Sequence, residues 1–299
     1  MRALRRFRGV SWPSLLAATL AAGQDQAPRM MQASDLARLP QPPADRVIAY
    51  GEAPQQVAEL RVPKRAGPHP VAILVHGGCW QAPWAADHVR ALAAALTADG
   101  IATWSLEYRR VGDPGGGWPG TFLDVARGAD HLRGVAGAHG LDLTRVVAVG
   151  HSAGGQLALW LGARARLPKE SPLRVEAPLP LRGVVALAAI TDLRAASAGG
   201  VCGDAVSQLL GGPAESRDAR LADTSPIELV PLGLPQRLVC GASDRLVPNE
   251  LSSRYADAAR NAGDPVALEV VEGAGHFELV DPASPAWPSV RRAVAELLR

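Results

Sequence analysis

Cysteine is scarce in this chain of 299 residues, which holds only Cys79, Cys202 and Cys240. None of the three stands in a CxxC pair and their number is odd, so the sequence predicts neither a zinc site nor a disulfide framework. One bridge between Cys202 and Cys240 stays open as an alternative if the protein is exported. The histidines likewise lack metal-ligand spacing, and no metal site is expected.

Beyond the first 30 residues, basic clusters and long apolar runs are also missing. The formal net charge is +2, but the first 30 residues hold five arginines and one aspartate, so the remainder carries −2. Without a basic stripe in the folded part, no nucleic-acid partner is expected. No later stretch has the uninterrupted apolar length that spans a bilayer, so no integral membrane segment is expected. The oligomeric state is left open.

The N-terminal segment, residues 1–30, differs from the rest. Basic "MRALRRFRGV" precedes the short apolar run "SLLAATLAAG", a pattern that resembles a secretory signal. A tryptophan and a proline interrupt the junction, and Met30 and Met31 offer a later start. The segment is therefore predicted to be either a signal peptide or a misassigned extension, and a cytoplasmic location is favoured over export.

Residues 55–299 have the pattern of one α/β domain. Strand-like runs occur at 57–63, 71–77, 101–108, 146–150, 183–190, 236–241 and 266–273, and helical patterns at 84–99, 119–138, 153–166, 249–262 and 285–299. Continuous apolar strands are typical of parallel sheets buried on both faces. Their alternation with helices predicts a doubly wound, mostly parallel sheet of about eight strands with helices on both faces.

Two segments fall outside this alternation. Residues 31–54 are rich in proline and polar residues and are predicted to form an arm on the surface. Residues 191–234 have no sustained period and are predicted to form a short insertion over the mouth of the sheet.

A glycine-rich turn at residues 150–155, "GHSAGG", separates a predicted strand from a predicted helix. Gly150, Ser152 and Gly154 form G-x-S-x-G in the context that a nucleophile elbow requires. The glycines would relieve clashes in the turn and leave Ser152 Oγ exposed at the helix N-terminus. The alternative is a glycine-rich turn with an idle serine.

An acid and a base follow two later strands. Asp244 lies in "ASDRLVP" and His276 in "GAGHFEL", each just past a strand. We expect His276 to act as general base for Ser152 and Asp244 to orient it. Asp192, which follows the preceding strand, is the rival acid but lies one strand further away.

The loop "LVHGGCW" (74–80) follows another buried strand. Its glycines would let the backbone N–H groups of Gly78 and Cys79, together with that of Ala153, stabilise an oxyanion. A plain glycine turn is the alternative. Trp80, Trp118 and His151 are candidates for the substrate pocket, with burial in the core as the alternative for the tryptophans.

The motifs HGGCW, GHSAGG, ASDRLVP and GAGHFEL together resemble those of the α/β-hydrolase superfamily over roughly residues 55–299. The sequence is most similar to esterases of the hormone-sensitive-lipase group and their feruloyl- and acetyl-xylan-esterase relatives. HGG, any residue and Trp also resembles the arylformamidases. Two features depart from these patterns: Cys79 replaces the third glycine of HGGG, and the long N-terminal helical cap of the lipase group is missing.

This resemblance implies a serine hydrolase that cleaves small carboxylic esters through an acyl-enzyme, with no metal or organic cofactor. An arylformamidase-type amide hydrolase or a small peptidase would use the same machinery. A non-catalytic binding module on the same fold is a further alternative, although such modules usually lack a triad member and none is missing here.

Overall fold

The computed structural model describes residues 29–299. Nearly all of the predicted N-terminal segment 1–30 therefore lies outside the described residues. The strands are β1 (Arg46–Ala49), β2 (Val57–Arg61), β3 (His69–Val75), β4 (Ala102–Leu106), β5 (Leu141–His151), β6 (Gly183–Leu187), β7 (Gln236–Gly241) and β8 (Val266–Val271). The α-helices are α1 (Arg90–Ala98), α2 (Gly120–Val135), α3 (Ala153–Ala163), α4 (Leu193–Ala198), α5 (Ala205–Leu210), α6 (Ala214–Thr224), α7 (Asn249–Asn261) and α8 (Trp287–Leu298).

The eight strands form one sheet in the order β1-β2-β4-β3-β5-β6-β7-β8. The six strands from β4 to β8 in this order run parallel, whereas β1 pairs with β2 and β2 pairs with β4 in antiparallel fashion. The prediction of a mostly parallel sheet of about eight strands is confirmed.

Helices cover both faces of the sheet because the central strands are apolar on both faces. Every residue of β3 is buried, and its side chains alternate between the two cores. Val71, Ile73 and Val75 pack in the core that also holds buried residues of α2, α3 and α7. Ala72 and Leu74 pack in the opposite core with buried residues of α1 and α8.

Two segments are more regular than predicted. The predicted surface arm 31–54 contributes β1, which pairs with β2 as an exposed edge strand. The insertion 191–234 is helical and contains α4, α5 and α6. Two of these helices, α4 and α5, have only six residues each, and the period of so short a helix is difficult to distinguish in a sequence. Within residues 29–299, no helix has both the length and the apolarity that a membrane crossing requires.

Candidate active site

Ser152 lies on a sharp turn between β5 and α3, at the carboxyl edge of the parallel strands. Its φ of 56° is in the left-handed region, and its N–H donates to the Leu187 carbonyl at 2.8 Å. The flanking glycines make this turn possible: a Cβ on Gly150 would fall 2.0 Å from the Gly154 oxygen, and one on Gly154 would fall 2.1 Å from the Val75 oxygen. The predicted strand–turn–helix context of the G-x-S-x-G motif is therefore present.

His276 and Asp244 meet at the same edge of the sheet. His276 Nδ1 donates to Asp244 Oδ2 at 2.7 Å, and Asp244 Oδ1 accepts from the N–H groups of Leu246 and Val247 at 2.8 and 3.0 Å. Burial raises the pKa of Asp244, but the hydrogen bond and charge of His276 and the two N–H donors outweigh it, so its pKa lies below the usual value. Asp244 thus stays ionised beside the histidine.

The rival acid, Asp192, has a different role. Its Oδ1 accepts the N–H of Ala195 at 2.8 Å and caps the N-terminus of α4. Its other oxygen lies 3.6 Å from Arg254 Nη2. The structure therefore brings Asp244, rather than Asp192, to the histidine.

The loop after β3 runs close to Ser152 in an unusual backbone conformation. Gly78, Cys79 and Trp80 have φ angles of 103°, 50° and 57°. A Cβ on the preceding Gly77 would come within 3.1 Å of Ser152 Cβ, which shows how closely the loop packs against the elbow. Within residues 29–299, neither the Gly78 N–H nor the Cys79 N–H donates a backbone hydrogen bond.

Ala153 starts α3 directly after Ser152. The N–H groups in the first turn of a helix have no acceptor within that helix. The N–H of Ala153 lies on one of the two segments that meet at Ser152, and the N–H groups of Gly78 and Cys79 lie on the other.

A buried charge network lies beneath this loop. His76 Nδ1 donates to the Gly77 carbonyl at 2.8 Å, and His76 Nε2 lies 3.1 Å from Glu107 Oε1. Arg110 lies 3.1 Å from the same Glu107 oxygen, and the other oxygen accepts the Ala86 N–H at 2.9 Å.

The network keeps Glu107 ionised despite its burial. Burial raises the pKa of Glu107, whereas the charge and hydrogen bond of His76, with Arg110 and the Ala86 N–H, lower it below its usual value. Tyr108 stacks on the His76 ring at 4.4 Å between ring centroids and donates its hydroxyl to the His76 carbonyl at 2.9 Å. Charge and stacking thus fix the start of the loop.

A disulfide ties the same loop to the insertion. Cys79 is bonded to Cys202, with 5.8 Å between their Cα atoms, and Cys240 is free and buried. The alternative bridge between Cys202 and Cys240 is therefore wrong, because Cys240 lies inside β7 whereas the other two cysteines lie in loops at the mouth of the sheet. Cys240 lies in the predicted strand 236–241, and this position could have excluded it as a disulfide partner of a loop cysteine.

A cavity of about 210 Å³ opens at Ser152. Its lining is mostly apolar and consists of Ala33, Gly78, Cys79, Trp84, His88, Ser152, Cys202, Leu246, Val247, His276 and Phe277. A larger cleft of about 550 Å³ adjoins it and shares Leu246, His276 and Phe277. Arg29, Gln32, Ser243 and Arg245 make this second cleft more polar. The two spaces meet at His276.

The three predicted pocket residues lie elsewhere. Trp80 is completely buried, and its indole N–H donates to Gln156 Oε1 at 3.1 Å in the core. Trp118 packs beside the core under the guanidinium of Arg220, 4.0 Å from its ring centroid. His151 is buried behind the elbow. None of the three lines the cavity.

Sequence reasoning missed three aromatic side chains that do line the cavity: Trp84, His88 and Phe277. Only Phe277 carried a signal, since it directly follows the predicted base. Among the described residues, no group of three or more His, Cys, Asp or Glu side chains is arranged to hold a metal ion.

Comparison with known proteins shows the family of this chain. The model of the BD-FAE family matches residues 59–258, which is more than half of the chain. The chain belongs to the BD-FAE family. The match includes the loop after β3, the elbow and Asp244, while His276 follows it.

Individual relatives are more distant. Esterase LipC of Mycobacterium tuberculosis is 28% identical over 251 residues, which are 80% of this chain and 61% of that protein. A truncated carbohydrate esterase from gut microbiota has a TM-score of 0.72 at 21% identity, covering 84% of this chain and 94% of that one. For an inhibited esterase B from Lactobacillus rhamnosis the TM-score is 0.73 at 20% identity, covering 89% of both chains. The two structural similarities show the fold of this chain.

Proposed function

We propose that the protein is a serine hydrolase that cleaves small carboxylic esters, with Ser152 as nucleophile, His276 as general base and Asp244 as the orienting acid. One observation carries this proposal: His276, which is hydrogen-bonded to Asp244 at 2.7 Å, lines the same cavity as Ser152 on its sharp strand–helix turn. BD-FAE membership and the similarity to an esterase support it.

The chemistry follows from the partners of each group. Asp244 accepts the Nδ1–H of His276, which leaves Nε2 free to take the proton of Ser152 Oγ as the serine attacks the ester carbonyl. The N–H groups of Gly78, Cys79 and Ala153 would stabilise the oxyanion of the tetrahedral intermediate. His276 then protonates the leaving alcohol. In the second step it takes a proton from water as the water attacks the acyl carbonyl, and it returns that proton to Ser152 Oγ as the acid leaves.

The sizes of the two spaces beside His276 favour a substrate with a small acyl group and a bulkier leaving group. At about 210 Å³, the apolar cavity is smaller than the roughly 300–1,000 Å³ of typical small-molecule sites. It suits an acyl chain of a few carbons, and the larger, more polar cleft suits a polar alcohol. The arylformamidase alternative gains no support, because Trp80 of the HGGxW motif lies in the core.

The disulfide also supports a proposal about the compartment in which the protein lies. Disulfides form and persist in oxidising compartments and are rare in the cytosol. The Cys79–Cys202 bridge therefore favours export to such a compartment, which reverses the expectation from the sequence.

The test is kcat/KM for p-nitrophenyl acetate, butyrate and octanoate and for N-formylkynurenine, with Ser152→Ala as the matched blank. We expect acetate and butyrate to lead, and Ser152→Ala to lower turnover by at least about 10³-fold without loss of the fold. A variant that retains most of its activity would refute the nucleophile. A tenfold or greater lead for the formamide would refute the ester preference.

A further inference from the structure

Two buried histidines outside the proposed triad connect the nucleophile elbow to the histidine loop. His88 Nε2 lies 2.8 Å from His151 Nδ1, and His151 Nε2 lies 2.9 Å from the backbone oxygen of His276. His88 and His151 are 5% and 1% exposed. The residue directly before Ser152 therefore contacts the backbone of the proposed base, 125 positions further along the chain.

The carbonyl at the end of this series of hydrogen bonds fixes which ring nitrogens of His151 and His88 carry a proton. The His276 carbonyl can only accept, so His151 Nε2 must carry a hydrogen. If His151 is neutral, its Nδ1 is an acceptor, and His88 must donate from Nε2. A neutral His88 then has an unprotonated Nδ1. This buried atom indeed has no hydrogen-bond partner among the described residues. Both hydrogen bonds therefore point towards the His276 carbonyl.

Burial keeps both rings neutral. It lowers the pKa of His151 to about 3, with the charge of His276 as the next cause, and it lowers the pKa of His88 well below its ordinary value. Neutrality matters because the His151 and His276 rings are 4.6 Å apart. A charged His151 would oppose the imidazolium that the proposed mechanism forms on His276.

We propose that His151 is a positioning residue, whose Nε2–H holds the main-chain carbonyl of His276 while His88 fixes its ring, so that the neighbour of the nucleophile sets the position of the base. This inference rests on the proposed function. His276 directly precedes the short 3₁₀ helix Phe277–Val280, so a tie at its carbonyl constrains both the loop and the helix that follows. Displacing a catalytic group by about 1 Å costs up to about 10²-fold in rate.

The test compares His151→Phe, which keeps a ring but no donor, with His151→Gln, whose amide can donate to the His276 carbonyl and accept from His88. We expect His151→Phe to lower kcat for p-nitrophenyl acetate by about 10- to 100-fold with less than a twofold change in KM. We expect His151→Gln to recover kcat to within about fivefold of the wild type. Equal losses in the two variants would overturn the proposal.

His69→Phe is the matched control. His69 is also a buried histidine, but it starts β3 at the amino end of the parallel strands, whereas Ser152 follows the carboxyl end of β5. We expect this variant to keep kcat within about twofold, and a loss as large as that of His151→Phe would contradict a specific role. If His151→Phe does not fold, His88→Phe provides the second variant, with an expected three- to tenfold loss of kcat; unchanged kcat there would overturn the proposal.

A second readout separates this inference from the proposed function. Reaction of Ser152 with paraoxon needs the serine and its base but no ester specificity. We expect His151→Phe to slow this reaction by the same factor as kcat, with full final stoichiometry. If the wild type reacts with paraoxon but hydrolyses no ester, the proposed function fails while the ranking of the His151 variants still decides the positioning role.

Discussion

The two walls of the active-site cavity are held in different ways. The histidine wall, formed by the elbow at Ser152 and the loop at His276, is joined by neutral hydrogen bonds through His88 and His151. The oxyanion wall, residues 77–80, is held by Glu107, which is paired with Arg110 and hydrogen-bonded to His76, and by a disulfide from Cys79.

The difference follows from what each wall must do. Non-glycine residues with positive φ cost about 1–3 kcal/mol each; the oxyanion wall has two of them in succession, Cys79 and Trp80, whereas the histidine wall has one, Ser152. Strong ties are needed to hold such a backbone. In the proposed mechanism, the histidine wall must instead accept a positive charge on His276, so neutral hydrogen bonds are preferable there.

The largest effect is expected on the histidine wall. Asp244→Asn removes the carboxylate that orients His276 and should lower kcat by about 10³- to 10⁴-fold. Asp192→Asn should stay within about threefold of the wild type, because Asp192 caps α4 instead. Steady-state kinetics of the two variants decide between them, and the reverse ranking would assign the acid to Asp192.

The same contrast separates what the sequence could predict from what it could not. Ser152, Asp244 and His276 were predictable because each follows a strongly apolar strand, and the carboxyl ends of parallel strands share one edge of a sheet. The strand periods also predicted both cores. These features depend on local patterns and on one rule of topology.

The remainder depends on side-chain directions that no local pattern contains. Trp80 was expected in the pocket because it follows the oxyanion motif, yet its positive φ and its bond to Gln156 leave the ring in the core. The partner of Cys79 is 123 residues away, in an insertion without a period. The contact of His151 with the His276 carbonyl similarly joins segments whose spacing only the folded chain defines.

The second largest effect on turnover is expected from removal of the disulfide that holds the oxyanion wall. Replacing Cys79 and Cys202 by serine should lower kcat by about tenfold or more, since loss of one oxyanion donor costs on the order of 10²–10³. It should also lower the free energy of unfolding by about 2–4 kcal/mol. A reductant should reproduce both losses in the wild type and change nothing in the double variant.

Cys240→Ala is the matched control for this comparison, because Cys240 is buried and unbridged. It should respond to the reductant as the wild type does. The unreduced, denatured wild type should contain one titratable thiol. Three thiols, or a reductant-insensitive wild type, would count against both the tie and the proposed oxidising location.

The smallest effect on turnover is expected from Glu107→Gln, which removes the charge beneath the oxyanion wall. We expect kcat to fall less than tenfold, but loss of one partner of a buried ion pair should lower the free energy of unfolding by about 3–5 kcal/mol at pH 7.

The pH dependence of this loss identifies its cause. The pKa of Glu107 is lowered in the folded state, so its contribution is complete above the unfolded value of about 4.3 and disappears as the pH falls through the folded pKa. The variant lacks this contribution at every pH. Urea unfolding at pH 7 and pH 3.5 should therefore show a difference between wild type and variant that narrows in acid. A difference independent of pH would mean that packing, rather than charge, holds the oxyanion wall, and the contrast between the two walls would reduce to the disulfide alone.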